Sequence, residues 1–389
     1  MLPDNSLRPS GAGGAPHTLA ARNFATATCR SRVLLLGYSD ANGGPTPNMP
    51  KTVLVTGASG YLGQHLILAL STRHDLVLHG TSAGLPTFAT DFKSVCTCHI
   101  VDVSDHAALS SVLKSVQPDV IVHAAALSSP RVCENDPAKC MAVNSPAALV
   151  DHLEVNLAAS IVFISTDQVY DGTSAPYTES PSSPAPVNAY GASKLHFERQ
   201  LQARLPKRHV SLRSSLILGP PAPRRCKKAG SFLQDIEKLL AAPEGATFFD
   251  NEMRSAVDVA DVIRVVTWAI DGGVTRAPGV YNMGGPESLS RVDMANSVAT
   301  YRHLDAARIH KKPRPEGGPV KSPLDITMDS SRLQQVSGVQ MRPLVSMLPA
   351  AFAHGSKTRV LAWSVSPATM LAIGVLAAAI SLAAMSYAR

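Results

Sequence analysis

Aromatic residues are scarce, 5% of the 389 residues, which leaves little from which to build a stacking platform for bases. The six cysteines, Cys29, Cys96, Cys98, Cys133, Cys140 and Cys226, form no Cys-x-x-Cys pair, and no paired histidine spacing accompanies them. That excludes a zinc site, and at this chain length no disulfide framework is expected. The thiols read as free, in a reducing compartment, and no metal is expected. Charged residues make up only 17% against 45% hydrophobic, too apolar for a disordered chain. Only one long uncharged run occurs, so the chain is not a polytopic membrane protein, and no internal repeat points to a solenoid.

Lys and Arg outnumber Asp and Glu by 36 to 29, a net charge of +7. The excess is scattered apart from Arg224, Arg225, Lys227 and Lys228. Such a short cluster reads as a solvated loop rather than a nucleic-acid patch, and no nucleic-acid partner is expected.

The two ends differ from the middle. Residues 1–49 are rich in Gly, Pro, Ala and Ser and poor in acids. They read as an unstructured leader or a transit segment, with Met49 standing directly before a β-rich run. Residues 360–388 carry no charge. Pro367 interrupts the run, leaving 368–387, about 20 residues at about 1.5 Å each, or about 30 Å, the depth of a bilayer core. No polar face appears in it. The expectation is a membrane-spanning tail over 367–388 after a linker over 346–366. Lys357 and Arg359 ahead of the run place the main domain in the cytosol.

The middle opens on a nucleotide-binding pattern. The run KTVLVT is followed by Gly57-Ala58-Ser59-Gly60-Tyr61-Leu62-Gly63 and then by the helical QHLILALSTR. Strand, glycine turn and helix come in the order that a dinucleotide needs. Side chains at Gly57 and Gly60 would block a pyrophosphate, and Gly63 lets the helix pack near the strand. The helix N-terminus offers unpaired N–H groups to phosphate. A second strand is predicted over 76–79, ending at Gly80, Thr81 and Ser82. The acidic residue that binds ribose hydroxyls is missing there, which leans toward NADP, although no arginine replaces it. A third strand runs into HIVDVSD. Asp102 is an adenine-side candidate or a helix N-cap, the second role fitting Ser104 or Asp105 better. Residues 118–126 and 157–165 read as buried parallel strands. Strands alternating with helical segments predict an α/β fold, a doubly wound parallel sheet.

After the fifth strand comes Ser165-Thr166-Asp167-Gln168-Val169-Tyr170, and some twenty residues later Tyr190-Gly191-Ala192-Ser193-Lys194. Tyr and Lys four apart share a helix face. An ammonium beside a phenol favours the phenolate and makes Tyr190 a usable acid or base. Thr166, at a strand end, can hold a carbonyl oxygen.

With these residues in place the chain resembles the extended short-chain dehydrogenase/reductase family. The strings ISTDQVYDGTSAPYTE, PVNAYGASKLHFER and QPDVIVHAAALSSPRVCENDPAKCMAVN are similar to the branch that holds dTDP-4-dehydrorhamnose reductase and the regulatory beta subunit of methionine adenosyltransferase. The resemblance implies a Rossmann fold over 50–215 and a small substrate-binding lobe with returning sheet elements over 216–345. It implies NADP, or NAD, held by Gly57, Gly60, Tyr61, Leu62, Gly63, Ser82, Asp102, Val103, Ala124 and Ala125 together with Tyr190 and Lys194. It makes Thr166, Tyr190 and Lys194 the catalytic set, with Tyr190 as proton donor. Gln168 stands where relatives carry an aromatic, beside the expected substrate.

On the substrate side, residues 212–220 read as a further strand, with Arg213 reaching either a ligand phosphate or a surface partner. Arg254 is the candidate for an anionic substrate group, the alternative being a salt bridge to Asp258. Ser290 opens a capped helix, and SPLDITMDSSRL is expected to pack on the substrate lobe. Two functions follow: a reductase of a nucleotide-sugar-like carbonyl, or a dinucleotide-binding regulatory partner of the methionine adenosyltransferase catalytic subunit. The tail alone suggests a third, a membrane-tethered lipid dehydrogenase.

Overall fold

A computed structural model describes residues 49–353, apart from 85, 181, 182, 225, 227, 228, 316 and 319. Residues 1–48, most of the expected linker and the whole expected membrane span over 367–388 lie outside the described residues, as do Arg225, Lys227 and Lys228. Among the described residues no helix is long and apolar enough to cross a membrane.

Strands in chain order are β1 (Lys51–Thr56), β2 (Leu76–Ser82), β3 (Thr97–Ile100), β4 (Val120–His123), β5 (Ser160–Thr166), β6 (His209–Ser214), β7 (Ile217–Leu218), β8 (Ala246–Phe249), β9 (Val257–Asp258), β10 (Gly279–Met283) and β11 (Ile309–Lys312). Seven of them form one sheet in the order β10-β6-β5-β4-β1-β2-β3, and every pairing in it is parallel. The order reverses beside β1, so β1 and β4 flank the crevice where such sheets bind ligands.

The strands are apolar on both faces because helices cover both. Val53, Val55, Val122, Val162 and Ile164 point to one side, against Leu66, Ile67 and Leu70 of the helix Tyr61–Leu70 and Val262, Val265 and Val266 of the helix Val259–Trp268. Leu54, Ile121, Ile161 and Phe163 point to the other, against Leu109 and Leu113 of His106–Val116, Leu149 and Leu153 of Ala147–Val155, and Phe197 and Leu201 of Ala189–Arg204. Continuous β-branched runs, read as doubly buried strands, are the sequence trace of this arrangement.

The smaller lobe has its own core. Leu233, Ile236 and Leu240 of Phe232–Ala241 pack with Val292, Ala295 and Val298 of Arg291–Arg302 and with Phe248 and Ile309 of the β8–β11 pair. Ser290 and Asp293 cap Arg291–Arg302 reciprocally, the capped opening that Ser290 predicted. Two boundaries move. The helix Leu344–Ala351 buries Met347, Leu348 and Ala351 in this lobe, so residues 346–351 belong to a packed helix of the lobe and not to a linker, because their apolar face has a partner. The segment expected to pack on the lobe also straps it to the sheet. Thr327 O accepts from Tyr177 N at 2.8 Å and Leu324 O from Met253 N at 2.9 Å, while Ile326 and Met328 pack on Val169, Tyr170 and Tyr177.

The glycine turn after β1 leaves no room for side chains at two of its positions. Gly57 has φ +68°, and a Cβ there would lie 2.6 Å from Ala125 Cα. A Cβ on Gly63 would lie 2.2 Å from Gly57 O. Gly63→Ala is therefore expected to cost about 3 kcal/mol, at the upper end for overpacking, read as a lower urea midpoint with an unchanged m-value.

Candidate active site

All seven strands of the main sheet run the same way, so their carboxyl ends share one edge. Gly57–Gly63 follows β1, Ser82 ends β2, Asp102 and Val103 follow β3, Ala124 and Ala125 follow β4, and Thr166 ends β5. Gly57 N donates to Thr81 Oγ1 at 3.4 Å and Ala125 N to Thr56 Oγ1 at 3.3 Å, fastening three of these ends together. No side chain caps the helix Tyr61–Leu70, and its first turn holds no acid, so its N–H groups face the crevice uncontested. Leu62 packs against the core. The Tyr61 hydroxyl donates to Pro220 O at 3.0 Å, so any coenzyme contact by Tyr61 leaves that bond in place. Asp102 Oδ1 accepts from Ser104 N at 2.9 Å and Ser104 Oγ at 2.7 Å, and these bonds hold its carboxyl below the usual range. Asp105, not Asp102, caps the next helix.

Thr166 accepts from Gln168 N at 3.2 Å and donates to Asp167 Oδ1 at 3.2 Å. Asn188 caps the helix Ala189–Arg204 and donates to Gln168 Oε1 at 2.8 Å. This fixes the entry of the helix against the turn after β5. Tyr190 and Lys194 lie on the buried face of that helix, and the Tyr190 phenol lies within hydrogen-bonding reach of the Thr166 hydroxyl. The structure thus brings Thr166, Tyr190 and Lys194 into one place at the carboxyl edge of β5.

Their electrostatics differ from the sequence expectation. Burial raises Tyr190 above the usual tyrosine range, with the bond from Thr166 opposing it. Burial also pushes Lys194 down to about 7. Lys194 Nζ donates to Ile164 O at 2.9 Å and lies 4.8 Å from the Phe163 ring centroid. Low dielectric disfavours the charged form of each group, and here that outweighs the expected pull of ammonium on phenol.

Arg213 has its partners in the interior rather than on the surface. It is buried, its Nη2 lies 2.8 Å from Glu198 Oε2, its Nε 3.1 Å from the same oxygen, and its Nη1 donates to Tyr170 Oη at 2.9 Å. Arg254 is 3% exposed. Its partner is Glu252 at 2.9 Å rather than Asp258, which caps Val259–Trp268 and binds Arg342. Arg254 also donates to the carbonyls of Met253, Leu324 and Pro323. Glu252 is shared with the partly exposed Arg291 and Arg314, at 3.0 and 3.6 Å. Burial works to raise Glu252, but Arg291, Arg254 and Arg314 together hold it below its usual range. Burial raises Asp167 against the opposing charge of Arg254 and bonds from Ser215 and Thr166.

Sequence reasoning passed over four supports. Asn144 Oδ1 accepts from Leu127 N at 2.8 Å, and its Nδ2 donates to Ser193 Oγ at 2.9 Å, tying the loop after β4 to the helix Ala189–Arg204. Cys133 and Cys140 pack against Tyr190. His123 is buried, shares a 2.7 Å hydrogen bond with Thr56 Oγ1 and is pushed down to about 3 by burial. Glu198 alone had a local signal, standing four residues after Lys194 on the same helical face.

The fold and this edge define a Rossmann-type α/β protein with its functional side chains at the carboxyl ends of a parallel sheet. The model of the RmlD substrate binding domain matches residues 51–356, and the chain belongs to that family. It is 28% identical over 288 residues to methionine adenosyltransferase 2 subunit beta of Danio rerio, covering 73% of this chain and 84% of that protein. It is 26% identical over 283 residues to the probable low-salt glycan biosynthesis reductase Agl14 of Haloferax volcanii, covering 70% and 89%. Its fold is similar to that of dTDP-4-dehydrorhamnose reductase from Bacillus anthracis, solved in complex with NADP, with a TM-score of 0.66, 20% identity and coverage of 80% of this chain and all of that one.

The Glu198–Arg213 pair is closed off from solvent on both sides. Arg213→Met strands a buried carboxylate and is expected to cost about 3–5 kcal/mol. Glu198→Gln with Arg213→Met is expected to cost less than the sum of the two single changes, in a double-mutant cycle read by urea unfolding.

Proposed function

We propose that this chain is an NAD(P)-dependent reductase of a carbonyl on a nucleotide-sugar-like substrate. The convergence of Thr166, Tyr190 and Lys194 beside the bare glycine turn carries the reading. The turn suits a pyridine dinucleotide: glycine at 57 lets the turn lie tight against the Ala125 backbone, which a Cβ would strike, and the uncapped helix N-terminus faces where the diphosphate would rest. Gly57, Gly60, Tyr61, Leu62 and Gly63 would hold the diphosphate, Ser82, Asp102 and Val103 the adenosine half, and Ala124, Ala125 and Lys194 the nicotinamide half. When bound, NADP or NAD supplies the hydride chemistry.

The protein's own residues handle the proton and the charge. The Thr166 hydroxyl donates toward the carbonyl oxygen. Tyr190, kept protonated by burial, delivers its phenolic proton to that oxygen as negative charge develops. Lys194, on the same face, stabilises the phenolate left behind. Gln168 borders the substrate. Arg254 lends positive charge from behind Asp167, and Arg291 and Arg314 offer exposed guanidinium edges to an anionic group.

The similarity to methionine adenosyltransferase 2 subunit beta favours a second reading, a dinucleotide-binding regulatory partner of the catalytic subunit. The uncharged run over 368–387 supports a third element, attachment of the cytosolic domain to a membrane by the tail.

Tyr190→Phe is expected to lower kcat about 10²- to 10⁴-fold with coenzyme affinity retained. Unchanged turnover of a nucleotide-4-ketosugar by the Phe variant would overturn Tyr190 as the proton donor, no turnover by the wild type would overturn the reductase reading, and stimulation of a methionine adenosyltransferase by the wild type would favour the regulatory one. Removal of residues 360–389 is expected to move the protein from the membrane pellet to the supernatant on cell fractionation. A truncated chain that still pellets with membranes overturns tail attachment.

A further inference from the structure

The geometry points to Arg224 as the cation that reads the 2′-phosphate of NADP, reaching the end of β2 from a loop about 140 residues further along the chain. The inference rests on the dinucleotide reading above and specifies how one coenzyme is told from the other.

In a doubly wound sheet the adenosine ribose lies at the end of the second strand, where a carboxylate takes its hydroxyls or a nearby arginine takes a 2′-phosphate. Here β2 ends on Ser82, whose Oγ lies 2.9 Å from Ser59 Oγ. No acid stands at that end, so nothing repels a phosphate. No Lys or Arg occurs over 83–92 either. Arg73, just before β2, is paired with Asp75 and Asp271. The local sequence therefore permits a 2′-phosphate without binding it.

The missing charge comes from the loop that follows β7. Its stem is held where Gly219 O accepts from Ser231 Oγ and Gln234 Nε2, both at 3.1 Å. The next carbonyl, Pro220 O, accepts from the Tyr61 hydroxyl of the glycine turn. Four residues on, Arg224 N donates to Gln64 Oε1 at 2.8 Å, while Gln64 Nε2 donates to Ser59 O at 2.9 Å. Gln64 is 1% exposed, so both ends of a buried amide are satisfied only with the loop in this position. One side-chain amide thus separates the Arg224 backbone from Ser59, and the Ser59 hydroxyl touches Ser82.

The Arg224 side chain is free to act from there. It is exposed and pairs with no carboxylate among the described residues, its Nη1 donating only to the adjoining Pro223 O at 3.2 Å. A guanidinium matches phosphate with two parallel hydrogen bonds, which an ordinary solvated arginine gains nothing by keeping so close to the turn.

The test is a fluorescence titration of the full-length protein with NADPH and with NADH. The wild type is expected to bind NADPH more tightly. Arg224→Ala is expected to weaken NADPH at least tenfold while leaving NADH within twofold, Arg224→Glu to weaken NADPH further, and Arg224→Lys to recover part of the loss. Equal weakening of both coenzymes overturns the assignment, because Arg224 then serves the turn or the diphosphate. Unchanged NADPH affinity overturns it as well, as does a wild type that prefers NADH. Binding of neither coenzyme by the wild type is a separate outcome that overturns the dinucleotide reading itself.

Discussion

The ion pair between Glu198 and Arg213 is closed to water on both sides, and each partner uses its remaining hydrogen bonds on a different part of the site. Glu198 accepts from Ser165, one residue before Thr166 on β5. Arg213 reaches Tyr170, and Tyr170 Oη donates to Asn282 Oδ1 at 2.6 Å. Asn282 in turn donates to the carbonyls of Tyr177 and Asp329. One buried charge pair therefore links the helix Ala189–Arg204, the end of β5, the loop after it and the strap from the smaller lobe. A network of this kind is strong only when every member is satisfied. Its members come from five places in the chain, so satisfying it fixes how lobe and sheet meet.

The same dryness sets the chemistry. Tyr190 and Lys194 sit where water does not screen them, and burial drives each toward its neutral form. A neutral phenol is the form that can donate a proton. A lysine near 7 can change charge with small changes in its surroundings. An anionic group brought close to Lys194 would favour its ammonium form.

Charge on the substrate side is arranged differently. Glu252 gathers Arg254, Arg291 and Arg314, which keeps like charges together that would otherwise repel. Arg254 is wholly engaged in that cluster and with three carbonyls, so its influence on a ligand is through its field. The partly exposed pair, Arg291 and Arg314, retains edges that can meet an anion directly.

Much of this was legible in the chain. Continuous apolar runs with helical segments between them pointed to the parallel sheet, because strands buried on both faces must be apolar throughout. The glycine turn declared itself because only glycine tolerates the approach of Ala125 and of Gly57 O. Tyr190 and Lys194 could be paired because both lie on one helix. Other features had no local trace. Glu198 with Arg213, Asn144 with Leu127 and Ser193, and Arg224 with Gln64 each join segments separated by between 15 and 160 residues. Spacing along a helix or strand encodes only neighbours on that element. Which distant polar groups meet, and which way burial then moves their protons, was decided by the closing of the two cores around them.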